Sequence, residues 1–226
     1  GVEVTSGSIM IGRLLAMNPG NTEKEIDGIQ TKEPTFGLPA VWISTSGKQE
    51  AQMAGYTVVD PSTVITTHIK ETIKRHASEL LGRQETQSLI DKFKESNPKV
   101  IEELIPDVLS LGKVQKVLQN LLKEQVSIRD LRTILEQLAD YGPTIQDTDI
   151  LTEYVRQAMA RPITKQFQSE DGSLSVMTLD REVEELIQSS IQKTEISSFL
   201  ALEPTVAEKL LVKLQEAVEV MAPKLE

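Results

Sequence analysis

The chain changes its period inside GYTVVDPSTVITTHI, residues 55–69. Tyr56 to Val59 is β-branched and aromatic, the composition of a short strand, and Asp60-Pro61 closes it. From Ser62 onward Ile65, Ile69, Ile73 and Ala77 recur every fourth residue, which is the spacing of one helix face. Ser62 is placed to cap that helix, and Gly82 to end it in the left-handed conformation that suits glycine. This switch divides the sequence into a β-leaning part before it and a helical part after it.

Upstream, residues 1–60 hold eight of the twelve glycines and the only tryptophan, so the segment is broken into short pieces. Val2-Glu3-Val4, Met10 to Met17 and Leu38 to Ile43 read as strands, with Asn18-Pro19-Gly20 as a turn. With Tyr56–Val59 they make a small α+β unit. Phe36 and Trp42 fall within PTFGLPAVWI, residues 34–43, among turn-forming prolines and glycines. An irregular, partly exposed apolar surface of this kind commonly marks a protein contact. For Trp42 a place in the small unit's core is an equal alternative, less so for Phe36.

Downstream the reading is helical. One helix covers about 84–96, with Leu89, Ile90 and Phe93 inward, and stops at Asn97-Pro98. Ser110 caps a second, whose stripe is Leu111, Val114, Val117, Leu118, Leu121 and Leu122. Ser127 caps a third, with Ile128, Leu131, Ile134, Leu135 and Leu138, ended by Gly142-Pro143. A fourth runs from about Thr148 to Ala160 and breaks at Arg161-Pro162. After Pro162 the pattern is mixed: a strand at Leu174–Leu179, a helix from Asp180 through Val183, Leu186, Ile187 and Ile191. A last helix opens at Pro204, with Val206, Leu210, Leu211, Leu214, Val218 and Met221. One strand cannot make a sheet, so this final part reads as an incomplete α/β domain. The fold class is therefore α+β and multidomain: a small α+β N-terminal unit, a central all-helical domain and a partial α/β C-terminal domain.

Composition narrows the function. The net charge of −10 opposes binding to phosphate backbones or anionic lipid, both of which rely on Lys and Arg. Zero cysteines exclude disulfides, thiolate metal sites and a cysteine nucleophile. His68 and His76 lie eight residues apart with Thr72 between, not the i, i+4 pair a helical metal site uses, so they read as surface or capping residues. No phosphate-binding or nucleotide-binding glycine motif and no nucleophile with its base occurs. Residues 114–142 have a helix–turn–helix layout, but Asp130, Glu136 and Asp140 beside Arg129 and Arg132 fit two packed helices better than a DNA reader. No run of about eighteen apolar residues crosses a membrane. The chain opens at Gly1 directly into an alternating segment, as a piece of a longer protein would. The expectation is a non-catalytic protein-binding module without a cofactor.

Several long segments carry a resemblance: PTFGLPAVWI (34–43), GYTVVDPSTVITTHI (55–69), HASELLGRQETQSLIDKF (76–93), VSIRDLRTILEQLADYG (126–142) and LTEYVRQAMARPITKQF (151–167). In this order they resemble the FHIPEP family of bacterial flagellar export-gate proteins. The resemblance implies the cytosolic region of an inner-membrane protein, without its transmembrane portion and truncated at both ends. It implies four subdomains, the second inserted in the first: residues 1–11 at the border of the first, 12–60 the second, 61–80 a return to the first, 81–160 the helical third and 161–226 part of the fourth. It further implies docking of export chaperones carrying flagellin, filament-cap and hook-associated cargo, contact with the export ATPase complex, and assembly as a nine-membered ring. The docking cleft carried over by motif comprises Met17 and Pro19 in LAMNPG, Glu33, Phe36 and Leu38 in KEPTFGL, and Val59, Val64 and Thr67. A virulence-type secretion gate is the alternative; GYTVVDPSTV and FGLPAVWI look flagellar.

Overall fold

The computed structural model describes residues 3–20, 22, 24–193 and 198–221. It divides into two compact units, Gly1–Glu85 with Leu118–Ser127, and Thr86–Val117 with Ile128–Glu226. Mixed helix and sheet throughout, it has the α+β character expected.

The first unit is built on a four-stranded antiparallel sheet of β1 (Arg13–Met17), β2 (Ile29–Lys32), β3 (Pro39–Ser44) and β4 (Thr57–Val59), in the order β2-β3-β1-β4. Side chains alternate across a strand, and here both faces are buried. Ala16, Val41 and Ile43 point to one face, where they pack with Ala51, Ala54 and Tyr56 around the short helix α1 (Lys48–Met53). Leu15, Ala40 and Trp42 point to the other, packed with Val64 of α2 (Pro61–Arg75). Trp42 is thus a core residue. Gly28, at the entry to β2, lies where a Cβ would stand 2.6 Å from the Trp42 carbonyl oxygen, so only glycine fits there.

Several expectations are corrected in this unit. Glu3 and Val4 form no strand, and Val2 lies outside the described residues. β1 begins at Arg13, after Gly12 takes φ +78°. β2 (IQTK) and α1 (KQEAQM) are too polar in composition for a hydrophobic period to mark them in the sequence. Asp60, not Ser62, caps α2: its extended backbone suits the residue before a proline, and its carboxylate accepts the Thr63 N–H at 2.9 Å. The helix stops at Arg75, and a separate turn, α3 (Ala77–Leu80), follows. On α2 only Val64 is buried; Ile65, Ile69 and Ile73 are exposed. The stripe is therefore not the core face.

In the second unit α4 (Arg83–Lys94, which begins in the first) is followed by α5 (Pro98–Leu104), a helix hidden behind the Asn97-Pro98 stop. A proline that ends one helix can open the next, because its missing N–H is not needed at N1. α6 (Leu111–Lys123) spans the boundary between the units; its Val114 and Val117, and in the first unit Leu118 and Leu121, are fully buried as expected. α7 (Leu131–Tyr141) is capped by Asp130 rather than Ser127, through the Thr133 N–H and hydroxyl. It packs against α5 and α8 (Thr148–Ala158), burying Ile134, Leu135 and Leu138, and Tyr141 stacks on Tyr154 at 4.1 Å.

Pro162 does not end the helical run. It falls in the first turn of α9 (Ala160–Phe167), where a proline costs no hydrogen bond. Leu174–Leu179 is irregular and exposed, not a strand. α10 (Arg181–Ser189) starts at its Asp180 cap as expected, and α11 (Pro204–Met221) at Pro204. Between them β5 (Ile191–Lys193) pairs with β6 (Ser198–Leu200), so Ile191 belongs to a strand rather than to the preceding helix. Leu211, Leu214 and Val218 of the last stripe are exposed, and the side chain of Met221 lies outside the described residues.

Candidate protein-docking site

The turn between β2 and β3, residues 33–38, is held closely by hydrogen bonds from its own backbone and from side chains. Gly37 takes φ +72°, a conformation other residues resist, and this lets the chain reverse. The Gly37 N–H donates to the Glu33 carbonyl at 2.9 Å, and the Glu33 N–H to the Leu38 carbonyl at 2.8 Å. Glu33 itself is only 3% exposed. Its two carboxylate oxygens accept the backbone N–H groups of Thr35 at 2.9 Å and Phe36 at 2.7 Å. A carboxylate spent in this way organises the turn from inside, and Glu33 offers little surface of its own.

The same turn pushes apolar side chains outward. Phe36 is 59% exposed and Leu38 41%. Arg75, in the last turn of α2, donates to the Thr35 carbonyl at 2.9 Å and sets its guanidinium carbon 5.9 Å from the Phe36 ring centre. The Asn18 N–H bonds the Pro39 carbonyl at 2.9 Å, which ties the end of β1 to the start of β3. Half-buried Met17 and exposed Pro19 therefore lie at the same end of the sheet as Phe36 and Leu38.

The remaining expected residues sit deeper. Val64 is buried against Leu15, Ala40 and Trp42, with Met17 and Val59 partly buried against the same cluster. Thr67, almost one turn further along α2, is half-buried. So Phe36, Leu38, Met17 and Pro19 offer surface, whereas Glu33 and Val64 support it from inside. Arg75 joins this group although it is not among the residues expected from the sequence: it lies three turns beyond Val64 on one stripe with His68 and Glu71, a face less apolar than the isoleucine stripe.

Along α2 the segment Thr5–Ile9 borders a groove of about 310 Å³, with Pro34, Ile65, Ile69 and Ile73 in its walls. Thr5 Oγ1 lies 3.2 Å from His68 Nε2, and His76 Nδ1 lies 2.9 Å from a Glu79 carboxylate oxygen. Both histidines are thus engaged locally, and no cluster of three metal-binding side chains occurs among the described residues. No helix is long and apolar enough to cross a membrane among the described residues.

The chain is 50% identical over 210 residues to the flagellar biosynthesis protein FlhA of Bacillus subtilis (strain 168), and 45% identical over 217 residues to FlhA of Escherichia coli (strain K12). These matches cover 93% and 96% of the chain but only 31% of each relative, so the chain spans about a third of the curated proteins it matches. Among solved structures it is similar to the Chlamydia pneumoniae CdsV protein, with a TM-score of 0.81 at 33% identity over 94% of this chain and 61% of that one. The nonameric EPEC SctV-C gives a TM-score of 0.71 at 29% identity, over 92% of this chain and 64% of that one. A chain of the Chlamydia pneumoniae CdsV and CdsO protein complex gives 0.74 at 32%, over 93% of this chain and 61% of that one. The model of the FHIPEP family matches residues 1–225, and the chain belongs to that family.

Proposed function

We propose that this chain is a docking platform of the flagellar type III protein export gate, and that it receives export chaperones with their flagellin, filament-cap and hook-associated cargo. The observation that carries the proposal is the β2–β3 turn: two apolar side chains held outward on a backbone pinned by Glu33 and Arg75, beside Met17 and Pro19. Exposed apolar groups on a rigid support lose little conformational freedom on binding, which favours an amphipathic partner helix. Phe36 is the anchor, and Leu38, Met17 and Pro19 form its rim. Val59, Val64 and Thr67 shape the sheet and helix behind them. The platform works by docking, with no chemistry of its own and no cofactor. Identities of 39–50% to flagellar relatives, against 29–33% to the CdsV and SctV structures, favour the flagellar assignment over a virulence-type gate. Under this proposal the platform also stands on the cytosolic side of the inner membrane, meets the export ATPase complex, and repeats in a nine-membered ring, a reading supported by the nonameric state of EPEC SctV-C.

Calorimetric titration with a panel of purified flagellar chaperone–cargo complexes tests this. The wild-type chain binds at least one of them, and Phe36→Ala weakens that binding by about 2 kcal/mol or more, as loss of an aromatic anchor does, without changing the thermal melt. Unaltered affinity with an unaltered melt removes Phe36 from the site.

A further inference from the structure

We infer that Arg75 is the positioning residue of the docking turn, setting the direction in which Phe36 is presented; this rests on the docking role proposed above. The Thr35–Phe36 peptide group is held at both ends. Its carbonyl accepts from the Arg75 guanidinium at 2.9 Å, and its N–H donates to the buried Glu33 carboxylate at 2.7 Å. A second bond at 2.9 Å, from the Thr35 N–H to Glu33, holds the preceding peptide group as well. A peptide plane fixed at its donor and its acceptor leaves little freedom in ψ of Thr35 or φ of Phe36, and these torsions aim the Phe36 Cα–Cβ bond. The guanidinium carbon then lies 5.9 Å from the Phe36 ring centre, within cation–π range, so the same group also limits rotation of the ring.

Arginine suits this role because one planar fork can donate to a carbonyl and cover an aromatic face at once, which an ammonium does poorly. The two holders come from different elements. Glu33 lies at the end of β2 and acts from within the turn, whereas Arg75 reaches in from the last turn of α2. The posture of Phe36 thus depends on helix and sheet staying packed together through Val64.

The test has two arms. In the chain labelled with fluorophenylalanine, Phe36, Phe93, Phe167 and Phe199 give four fluorine resonances, of which Phe36→Leu identifies one. Arg75→Ala shifts and sharpens the Phe36 resonance and leaves the other three in place, while Arg75→Lys produces a smaller shift. A Phe36 resonance that does not move in Arg75→Ala overturns the proposal, whatever the chain binds. In the second arm, affinity for a purified flagellin–chaperone complex falls about two- to five-fold in Arg75→Ala, the factor an exposed cation–π contact carries. That loss disappears when Phe36 is already alanine. An equal loss in both backgrounds means that Arg75 acts on the partner directly, and overturns the positioning role. If Phe36→Ala leaves the affinity intact, the docking assignment falls, and the fluorine spectra alone decide what Arg75 does to the turn.

Discussion

Truncating Val64 and Ile69 to alanine separates the face of α2 that the structure buries from the face that the sequence pattern favoured. Val64 is 3% exposed against Leu15, Ala40 and Trp42; Ile69 is 56% exposed on the same helix. Val64→Ala removes two carbons from a sealed site, about 1.6 kcal/mol at ~0.8 kcal/mol per buried CH₂. A residual cavity of roughly 40 Å³ at ~24 cal/mol per Å³ adds about 1 kcal/mol. Alanine's better helix propensity returns about 0.5 kcal/mol, so the net loss is about 2 kcal/mol. Ile69→Ala removes three carbons, but less than half of that side chain is covered, and no closed cavity is left. About 1 kcal/mol of burial less the propensity gain leaves roughly 0.5 kcal/mol. Urea denaturation followed by fluorescence is the assay: Trp42 is the only tryptophan and belongs to the same cluster as Val64, so it reports on this unit. Equal losses, or a larger loss for Ile69, would mean that α2 is turned about its axis, and would refute the account of the core.

Leu118, in the first unit, and Leu135, in the second, are both fully buried. Leu→Ala at either position costs about 2–5 kcal/mol through the cavity it leaves, and variants that melt like the parent would refute the registers of α6 and α7. Bonds from the Ser62 hydroxyl, then from the Thr63 N–H and hydroxyl, lower the Asp60 pKa from 3.8 to about 2. A carboxylate depressed on folding stabilises the native state above its unfolded pKa and loses that contribution as pH falls through the folded one. The stability gap between wild type and Asp60→Ala, measured by urea denaturation, is therefore constant above about pH 4 and closes towards pH 2; a gap that does not change with pH would show that the charged cap contributes nothing.

Much of the chain was legible because local chemistry agreed with the tertiary fold. The stripe Val114, Val117, Leu118 and Leu121 repeats at helical spacing and is buried throughout, and Asp180 and Pro204 mark helix starts that the structure keeps. β3 was read within a residue of its true ends because PAVWIS is buried on both faces and so reads as a continuous apolar run. The ordered motifs pointed to the family. Tertiary packing decided the rest. β2 is a strand because β3 pairs with it, since IQTK has no strand pattern of its own. Leu174–Leu179 has the composition of a strand but no partner strand among the described residues, and it stays irregular. On α2 the isoleucine stripe competed with a face that holds one valine followed by His68, Glu71 and Arg75, and the sheet buries that valine, because burial depends on which face meets another surface and not on which face is richer in isoleucine. The site followed the same rule. Phe36 stood out in the sequence, but the buried role of Glu33 and the reach of Arg75 from forty residues away exist only once helix and hairpin turn are brought together.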